Sequence, residues 1–318
     1  MLTLLQAQQL SQPKLTKSVI DQFRTSPILD QLIFDNTVKA AGGNSLDYVY
    51  NRVQTYTGAA SRALDVDYVA SEAVTQAIMS RLAIFGGRFQ IDRALIQGEH
   101  EVVDHIQFQV AQKTKATIAQ FHNMFINGRR LNPLIPNSFE FDGLDVLLTG
   151  GAQEITPAAP ILLSTSANIS ANWQEFLDNL RALEAVMDGA PSLYIMNQAM
   201  YARFQSVMDR AGINLASKEN YGRNVSVWGE SLVVAMGNRP GNTAPIIASP
   251  AGVTSIYAVR LGLDGVHGTS LSGTKLANVY LPDMNDSAVL KTGSVEMIAG
   301  LAYKSTESAA VLRNIDIA

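Results

Sequence analysis

The residues nearest to a metal-binding motif lie at positions 100–105, with the sequence HEVVDH. A zinc protease helix carries its two histidines four positions apart, so that both face one metal ion from the same side. Here the histidines are five positions apart, which places them about 140° from each other around a helix. His100 and Asp104 share a face, but two ligands make a poor metal site. We therefore interpret the segment as the solvated first turn of a helix, where acids are favoured.

Other catalytic and cofactor motifs are also missing. Gly262, Gly265 and Gly268 are spaced by three residues and no strong helix pattern follows them, so they do not match the dinucleotide-binding fingerprint. The sequence contains no GxxxxGK[ST] phosphate loop and no GxSxG nucleophile elbow. The absence of cysteine excludes disulfides, thiolate metal sites and cysteine nucleophiles. The sequence thus predicts no catalytic, cofactor-binding or metal-binding residue.

The remaining polar candidates have structural interpretations. His122 lies late in a predicted long helix, where we expect it to pack or to make a polar contact, and His267 stands alone. Arg129 and Arg130 follow the end of the same helix. Such a pair can hold a phosphate, but the C-terminal end of a helix attracts cations rather than anions, so we expect a structural role.

The elements that position these residues begin with a hairpin. β-branched and aromatic residues at 48–57 and 74–84 predict two strands, and the irregular stretch 59–72 joins them. Gly86 and Gly87 are expected to interrupt the second strand before the alternating segment 88–93. An ordinary pair of strands with a surface loop is the alternative, although a loop longer than about 12 residues is usually functional or mobile.

The clearest periodic signal predicts a helix over 99–127, ended by Asn127 and Gly128. At 1.5 Å per residue, a helix of about 28 residues is about 42 Å long, which suits the backbone of a whole subunit. Its apolar face recurs at steps of three and four residues: Val103, Ile106, Val110, Thr114, Thr117, Phe121 and Met124.

A proline-containing linker at 131–138 leads into a region of mixed α and β pattern. We expect a helix capped by Ser170 or Asn172 and ended by Gly189, and a second helix capped by Asn197 and ended by Gly212. Strands are predicted near 193–196, 225–228, 232–236, 246–248 and 255–260, with two or three more between 291 and 317.

Composition limits the class of protein. The chain has 318 residues, of which 47% are apolar and only 16% charged, and its net charge is −4. Ample apolar surface excludes intrinsic disorder, and no basic excess indicates nucleic-acid or membrane binding. The apolar residues 1–5 lack a basic leader, and no apolar run approaches the ~18 residues of a membrane span. We expect a chain that starts at Met1 and is synthesised in the cytosol without a targeting segment.

The order of these parts resembles the major capsid proteins of tailed bacteriophages, which have the Hong Kong 97-like fold. It consists of an arm at 1–35, the hairpin, a long helix ending in FING at 125–128, the linker, and FDGL at 141–144 opening another helix. The segments 255–260 and 264–268 resemble the late axial strand and turn of that family, and the tail resembles its closing peripheral strands.

The resemblance implies an α+β fold with four regions. They are an N-terminal arm at 1–47, an extended β-hairpin loop at 48–95, a peripheral domain with the spine helix at 96–136 and 289–318, and a mixed α/β axial domain at 137–288. One residue departs from the family, because Arg129 stands where members often carry an acid.

The implied function is structural, not enzymatic. A major capsid protein self-assembles through pentamers and hexamers into an icosahedral shell that encloses the double-stranded DNA of a phage. The expected location is the virion, after synthesis in the host cytoplasm, and the expected partners are other copies of the chain, with separate scaffolding, portal and cement proteins where the shell uses them. Some members begin with a scaffolding domain of about a hundred residues, and because this arm is far shorter, we expect any scaffolding to come from a separate protein. The weakly acidic charge suits a container that does not grip its DNA, and no cofactor or membrane contact is implied.

Two alternatives stay open: an encapsulin-like nanocompartment shell that encloses an enzyme, and an α/β enzyme or ligand-binding protein built on 137–288. The second needs convergent titratable groups in a cleft. For a shell, we predict that deletion of residues 58–72 leaves a folded subunit but abolishes closed particles.

We also predict the absence of the lysine–asparagine isopeptide bonds that some family members form, because no lysine lies between Lys39 and Lys113. The hairpin instead carries arginines for ordinary ion pairs, namely Arg52, Arg62, Arg81 and Arg88. An arginine cannot replace the lysine nucleophile, since it stays protonated.

Overall fold

The computed structural model describes residues 28–29, 31–37, 46–92, 101–130, 139–213, 215–220, 223–241, 244–271, 277–283 and 285–318, apart from the side chains of residues 101–105 and 218–224. Three predictions lie outside the described residues. They are most of the N-terminal arm, the side chains of the HEVVDH segment, and the linker at 131–138.

The long helix is confirmed as α1, Glu101–Asn127. At 1.5 Å per residue it is about 40 Å long. Every residue of the predicted apolar face whose side chain is described is buried, from Ile106 to Met124. Thr114 and Thr117 belong to this buried face because their hydroxyls donate to carbonyl oxygens one turn earlier, at 2.8 Å each. The helix packs this stripe mainly against the strands at 83–92 and 290–303.

Three shorter helices follow: α2, Leu144–Leu148; α3, Ser166–Ala185; and α4, Gln198–Arg210. Asn197 caps α4 as predicted, since its side chain accepts a hydrogen bond from the Met200 N–H at 2.7 Å. The predicted start of α3 is wrong by one turn. Thr165 is the cap, accepting from the Asn168 N–H at 3.2 Å, and Ser170 lies inside the helix.

Fifteen strands form three sheets among the described residues. Their bounds are β1, Phe34–Asn36; β2, Asp47–Thr55; β3, Val74–Arg81; β4, Ala83–Asp92; β5, Glu154–Ile155; β6, Ile161–Leu162; β7, Leu193–Asn197; β8, Ala216–Asn220; β9, Arg223–Trp228; β10, Ser231–Met236; β11, Val253–Val259; β12, Val266–Ser270; β13, Ala277–Tyr280; β14, Leu290–Tyr303; and β15, Ala309–Asp316.

The first sheet has the order β1-β12-β14-β13, with β4 also paired to β14. Strands β4 and β14 are antiparallel over a continuous register from Leu290↔Asp92 to Ala299↔Ala83. The predicted interruption at Gly86 and Gly87 is therefore wrong, because the strand runs through both. A Cβ atom at Gly86 would lie 2.0 Å from the Val295 carbonyl oxygen, so glycine permits close approach here rather than a break.

The second sheet has the order β5-β15-β11-β7-β10-β9-β8, with β6 also paired to β15. Helices α3 and α4 cover one face, where Phe176, Leu180 and Phe204 are fully buried with the sheet residues. The other face joins the core of α1 and α2. The predicted strand at 246–248 is wrong. Pro245 makes only an isolated bridge with Asn238, and proline offers no N–H to continue a ladder.

The C-terminal part of the chain contributes strands to both sheets. Residues from 266 to 303 supply β12, β13 and β14 of the first sheet, whereas β15 lies in the second sheet between β5 and β11. The predicted axial region at 137–288 and peripheral segment at 289–318 stay predictions. The two sheets do not coincide with these regions, because each sheet takes strands from both. One of the apolar clusters spans α1, α2 and both sheets.

Candidate interaction surface

The hairpin predicted from the sequence is confirmed as a two-stranded sheet that stands apart from the other two. Its second strand, predicted over 74–84, ends at Arg81, because residues 83–84 already pair with the first sheet. Strands β2 and β3 are antiparallel from Asp47↔Arg81 to Thr55↔Val74. The connecting loop, residues 56–73, is exposed throughout. Its side-chain hydrogen bonds join loop residues to each other, as in Ser71 Oγ to the Gly58 carbonyl at 3.2 Å and Arg62 to the Val66 carbonyl at 3.3 Å.

Apolar side chains point away from the subunit along this hairpin. In the loop, Tyr56, Leu64 and Val69 are 82%, 90% and 94% exposed. On the strands, Val49 and Met79 form an exposed cross-strand pair. We call these five residues the hairpin surface. Five exposed apolar side chains along one hairpin make it the candidate interaction surface of this chain.

The opposite face of the hairpin docks on the subunit through alternate residues of β2. The Tyr50 hydroxyl donates to the Tyr303 carbonyl at 2.7 Å, and Arg52 Nε donates to the Lys304 carbonyl at 2.8 Å. The Tyr48 hydroxyl donates to Asp35 Oδ2 at 2.7 Å. The alternation of these residues with Val49 and Val53 was a usable signal in the sequence, but it did not reveal their partners.

His267 lies beneath this docked face. It is fully buried, and its two ring nitrogens have no hydrogen-bond partner in the part of the chain that the structure describes. The Tyr48 ring meets it edge-on, with centroids 5.7 Å apart. Burial lowers the pKa of His267, so the ring is neutral near pH 7 and acts as a packing group. Nothing described beside it completes a catalytic arrangement.

His122 also has a structural setting. It lies on α1 next to the buried Phe121, whose ring centroid is 6.2 Å away. Burial lowers the pKa of His122 to about 4. The imidazole is therefore uncharged at neutral pH, in agreement with a packing or polar-contact role.

Arg129 and Arg130 mark the joint between α1 and the segment before α2. Their backbone N–H groups donate to Glu140 Oε2 at 3.3 Å and Asp142 Oδ1 at 2.8 Å, while both side chains are exposed. With Arg81, these four residues line an open cleft of about 690 Å³. Because the two acids already bind the backbone, the cleft is part of the joint, and no buried polar group converges in it.

The glycines at 262, 265 and 268 serve close packing in and before β12. A Cβ atom at Gly268 would lie 2.4 Å from the Phe34 ring, and one at Gly265 would lie 2.7 Å from the Arg260 carbonyl oxygen. Within the described ranges, no group of three His, Asp or Glu side chains is arranged to hold a metal ion. None of the helices described has both the length and the apolar character to span a membrane.

The sequence matches no protein-family model and none of the curated proteins. The structure is similar to the SrpI encapsulin of Synechococcus elongatus, with a TM-score of 0.63 at 16% identity, covering 92% of this chain and 89% of that one.

Two capsid structures are also similar. The capsid of a native GTA particle has a TM-score of 0.56 at 13% identity, covering 90% of this chain and 89% of that one. The capsid of the Myoviridae phage XM1 has a TM-score of 0.53 at 11% identity, covering 88% and 89%. Since the likeness extends over nearly the whole chain, this protein has the α+β Hong Kong 97-like fold of phage capsid and encapsulin shell subunits.

Proposed function

We propose that this protein is a structural major capsid protein that self-assembles into a closed shell. The observation that carries the proposal is the hairpin surface, whose apolar side chains are exposed and belong to none of the apolar core clusters of the described residues. The chain has the fold of subunits from capsid and encapsulin particles. A head-to-tail contact that repeats around a rotation axis closes into a ring, so a hairpin that reaches a neighbouring copy builds pentamers and hexamers.

The proposed content of the shell is the double-stranded DNA of a phage. A net charge of −4 suits a wall that encloses DNA without binding its sequence. The likeness to an encapsulin supports a second candidate, a nanocompartment that encloses a protein. Particles isolated from their natural host distinguish the two, because the first contain nuclease-protected DNA and the second contain a cargo protein.

The regions predicted from the sequence receive roles in this proposal. The arm at 1–47 and the extended loop at 48–95 contact neighbouring subunits, the loop through β2, β3 and the residues between them, because β1 and β4 belong to the first sheet. The residues at 96–136 and 289–318 form the peripheral domain, and 137–288 form the axial domain near the capsomer centre. The protein acts in the virion without catalysis or a cofactor, after synthesis in the host cytoplasm. Portal, scaffolding and cement proteins are its proposed partners besides its own copies.

Negative-stain electron microscopy of the purified protein, together with light scattering, tests the proposal. We expect closed particles of uniform diameter. A monodisperse monomer that does not assemble at any salt concentration, pH or protein concentration would contradict both shell functions. It would favour a monomeric enzyme or ligand-binding protein built on 137–288.

A further inference from the structure

The hairpin is attached to the subunit at the place where the first sheet changes its pairing. Strand β4 covers the edge of β14 as far as Ala299. The chain leaves the sheet at Leu82, between β4 and β3, and the Leu82 N–H donates to the Leu46 carbonyl at 2.7 Å. Beyond Ala299, no described strand pairs with this edge of β14.

Where the strand pairing stops, side chains of the hairpin donate hydrogen bonds to the backbone carbonyls at 301, 303 and 304. Ser80 Oγ donates to the Leu301 carbonyl at 2.5 Å. The Tyr50 hydroxyl and the Arg52 guanidinium both donate to the Tyr303 carbonyl. Arg52 also donates through Nε to the Lys304 carbonyl at 2.8 Å. These bonds satisfy carbonyl groups that the sheet leaves without a strand partner.

Arg52 has the largest share of this contact. Its guanidinium bonds two consecutive carbonyls and lies 5.4 Å from the centroid of the Tyr303 ring. The sequence indicates an ordinary ion pair for this arginine, but the hydrogen bonds that the structure shows for it go to backbone carbonyls rather than to a carboxylate. The planar fork of a guanidinium can hold two acceptors and a ring face together, which a lysine ammonium cannot do.

We propose that Arg52 is the positioning residue that fixes the angle at which the hairpin leaves the subunit. A strand ladder fixes an angle through many backbone bonds, whereas this attachment depends on a few side chains next to a single-residue break at Leu82. Loss of Arg52 therefore leaves β2 and β3 paired with each other but held on the subunit only by the weaker contacts of Tyr48, Tyr50 and Ser80, so that the angle varies. The inference rests on the proposed function, since a uniform shell requires every hairpin to meet its neighbour in the same direction.

Distances within one subunit test the angle directly. The chain has no cysteine, so Gln54→Cys on β2 and Gln174→Cys on α3 carry spin labels without background. Labelled chain is diluted with an excess of unlabelled chain, so that only distances within one subunit are recorded. The variants are Arg52→Ala, alone and combined with Tyr50→Phe. Arg62→Ala is the matched control, because Arg62 lies in the exposed loop and binds loop carbonyls.

The parent and the Arg62→Ala chain should give one narrow distance distribution. Loss of hydrogen bonds to a charged group raises the undocked population about tenfold or more, so Arg52→Ala should broaden the distribution, and the combined variant should broaden it further. Arg52→Lys should lie between parent and Arg52→Ala. In microscopy, we expect Arg52→Ala to give few closed particles, with mixed diameters.

Results that differ from these would contradict the role of Arg52, the link between hairpin angle and assembly, or the proposed function. A distribution as narrow as the parent's in a folded Arg52→Ala chain overturns the positioning role of Arg52, and a broadened distribution in the combined variant alone would assign that role to Tyr50. A broadened distribution with normal, uniform particles overturns the link between angle and assembly. If the parent chain itself forms no particles, the proposed function fails, and the distances alone decide the role of Arg52. Thermal unfolding of each variant identifies any that lose the fold. If Arg52→Ala is unfolded, the distance distribution of Arg52→Lys decides the role of Arg52 instead.

Discussion

Deletion of residues 58–72 separates a role in assembly from a role in folding. The deletion shortens the loop between β2 and β3 from about 18 residues to about three, a length that hairpins tolerate. Loop-closure entropy then favours the folded subunit by about 1.6 kcal/mol. The lost side-chain hydrogen bonds lie within the loop and its residues are exposed, so their removal costs at most about 0.5 kcal/mol. We therefore expect an unfolding free energy equal to or slightly above that of the parent.

Assembly should respond in the opposite direction. The deletion removes Leu64, Val66, Tyr68 and Val69, all of which are exposed. Burial of such a side chain contributes about 1.5 kcal/mol or more, so each subunit loses about 6 kcal/mol of potential contact energy before association costs are counted. We expect folded subunits that form no closed particles.

Urea denaturation followed by circular dichroism measures the stability of the deletion variant, and electron microscopy counts its particles. A full-length Leu64→Ser, Val69→Ser variant is the matched control for apolar contact, and it should also lose assembly. Ser61→Ala, in the same loop, should change neither property. Normal particles from the deletion variant would refute the intersubunit role. A fall in unfolding free energy of about 2 kcal/mol or more would show that the loop supports the core.

Three further predictions concern the core, the effect of pH and covalent bonding. Phe121→Ala should lower the unfolding free energy by about 3–5 kcal/mol in urea denaturation, because its fully buried ring touches the rings of Phe34, Phe85 and Phe141; a loss below about 1 kcal/mol would contradict this packing. Because burial lowers the pKa of His122 from 6.5 to about 4, the unfolded chain binds a proton that the folded chain excludes. Stability should therefore fall by about 2 kcal/mol between pH 7.5 and pH 5 in urea denaturation, and His122→Gln should remove most of that fall; an unchanged fall would assign it elsewhere. Mature particles boiled in detergent should run as one band at the monomer mass on a denaturing gel, since no lysine lies between Lys39 and Lys113; a ladder of multimers would implicate a lysine outside the hairpin.

The features that the sequence predicted well are those set by neighbouring residues. The spacing of the apolar residues determined the face of α1, and Asn197 was the clear choice as cap before an amphipathic run. The start of α3 was harder to assign. Thr165, Ser166, Ser170 and Asn172 all favour a cap position, and only tertiary packing selects among them.

The features that were missed depend on residues far away in the chain. The sequence suggests a break at Gly86. The residue that requires a glycine there is Val295, whose carbonyl approaches across the ladder and which lies more than 200 residues later in the chain. The role of Arg52 was hidden because its acceptors are backbone carbonyls, which every residue carries and no sequence pattern marks. Most of the loop part of the hairpin surface lies in the irregular stretch that the sequence shows at 59–72, but the exposure of its apolar side chains is visible only in the fold.

The position of β15 has a consequence for the order of folding. This strand pairs antiparallel with β11, and parallel with β5 through Leu312↔Ile155, so the second sheet joins segments separated by about half of the chain. Strand β14, which belongs to the first sheet, lies between β11 and β15 in the chain. Long-range pairings of this kind slow folding, because the entropy of closing large loops is lost before the contacts form. Residues 137–288 expressed alone would lack β15 and leave the edge of β11 unpaired, so the two sheets are expected to fold as one cooperative unit and not one after the other.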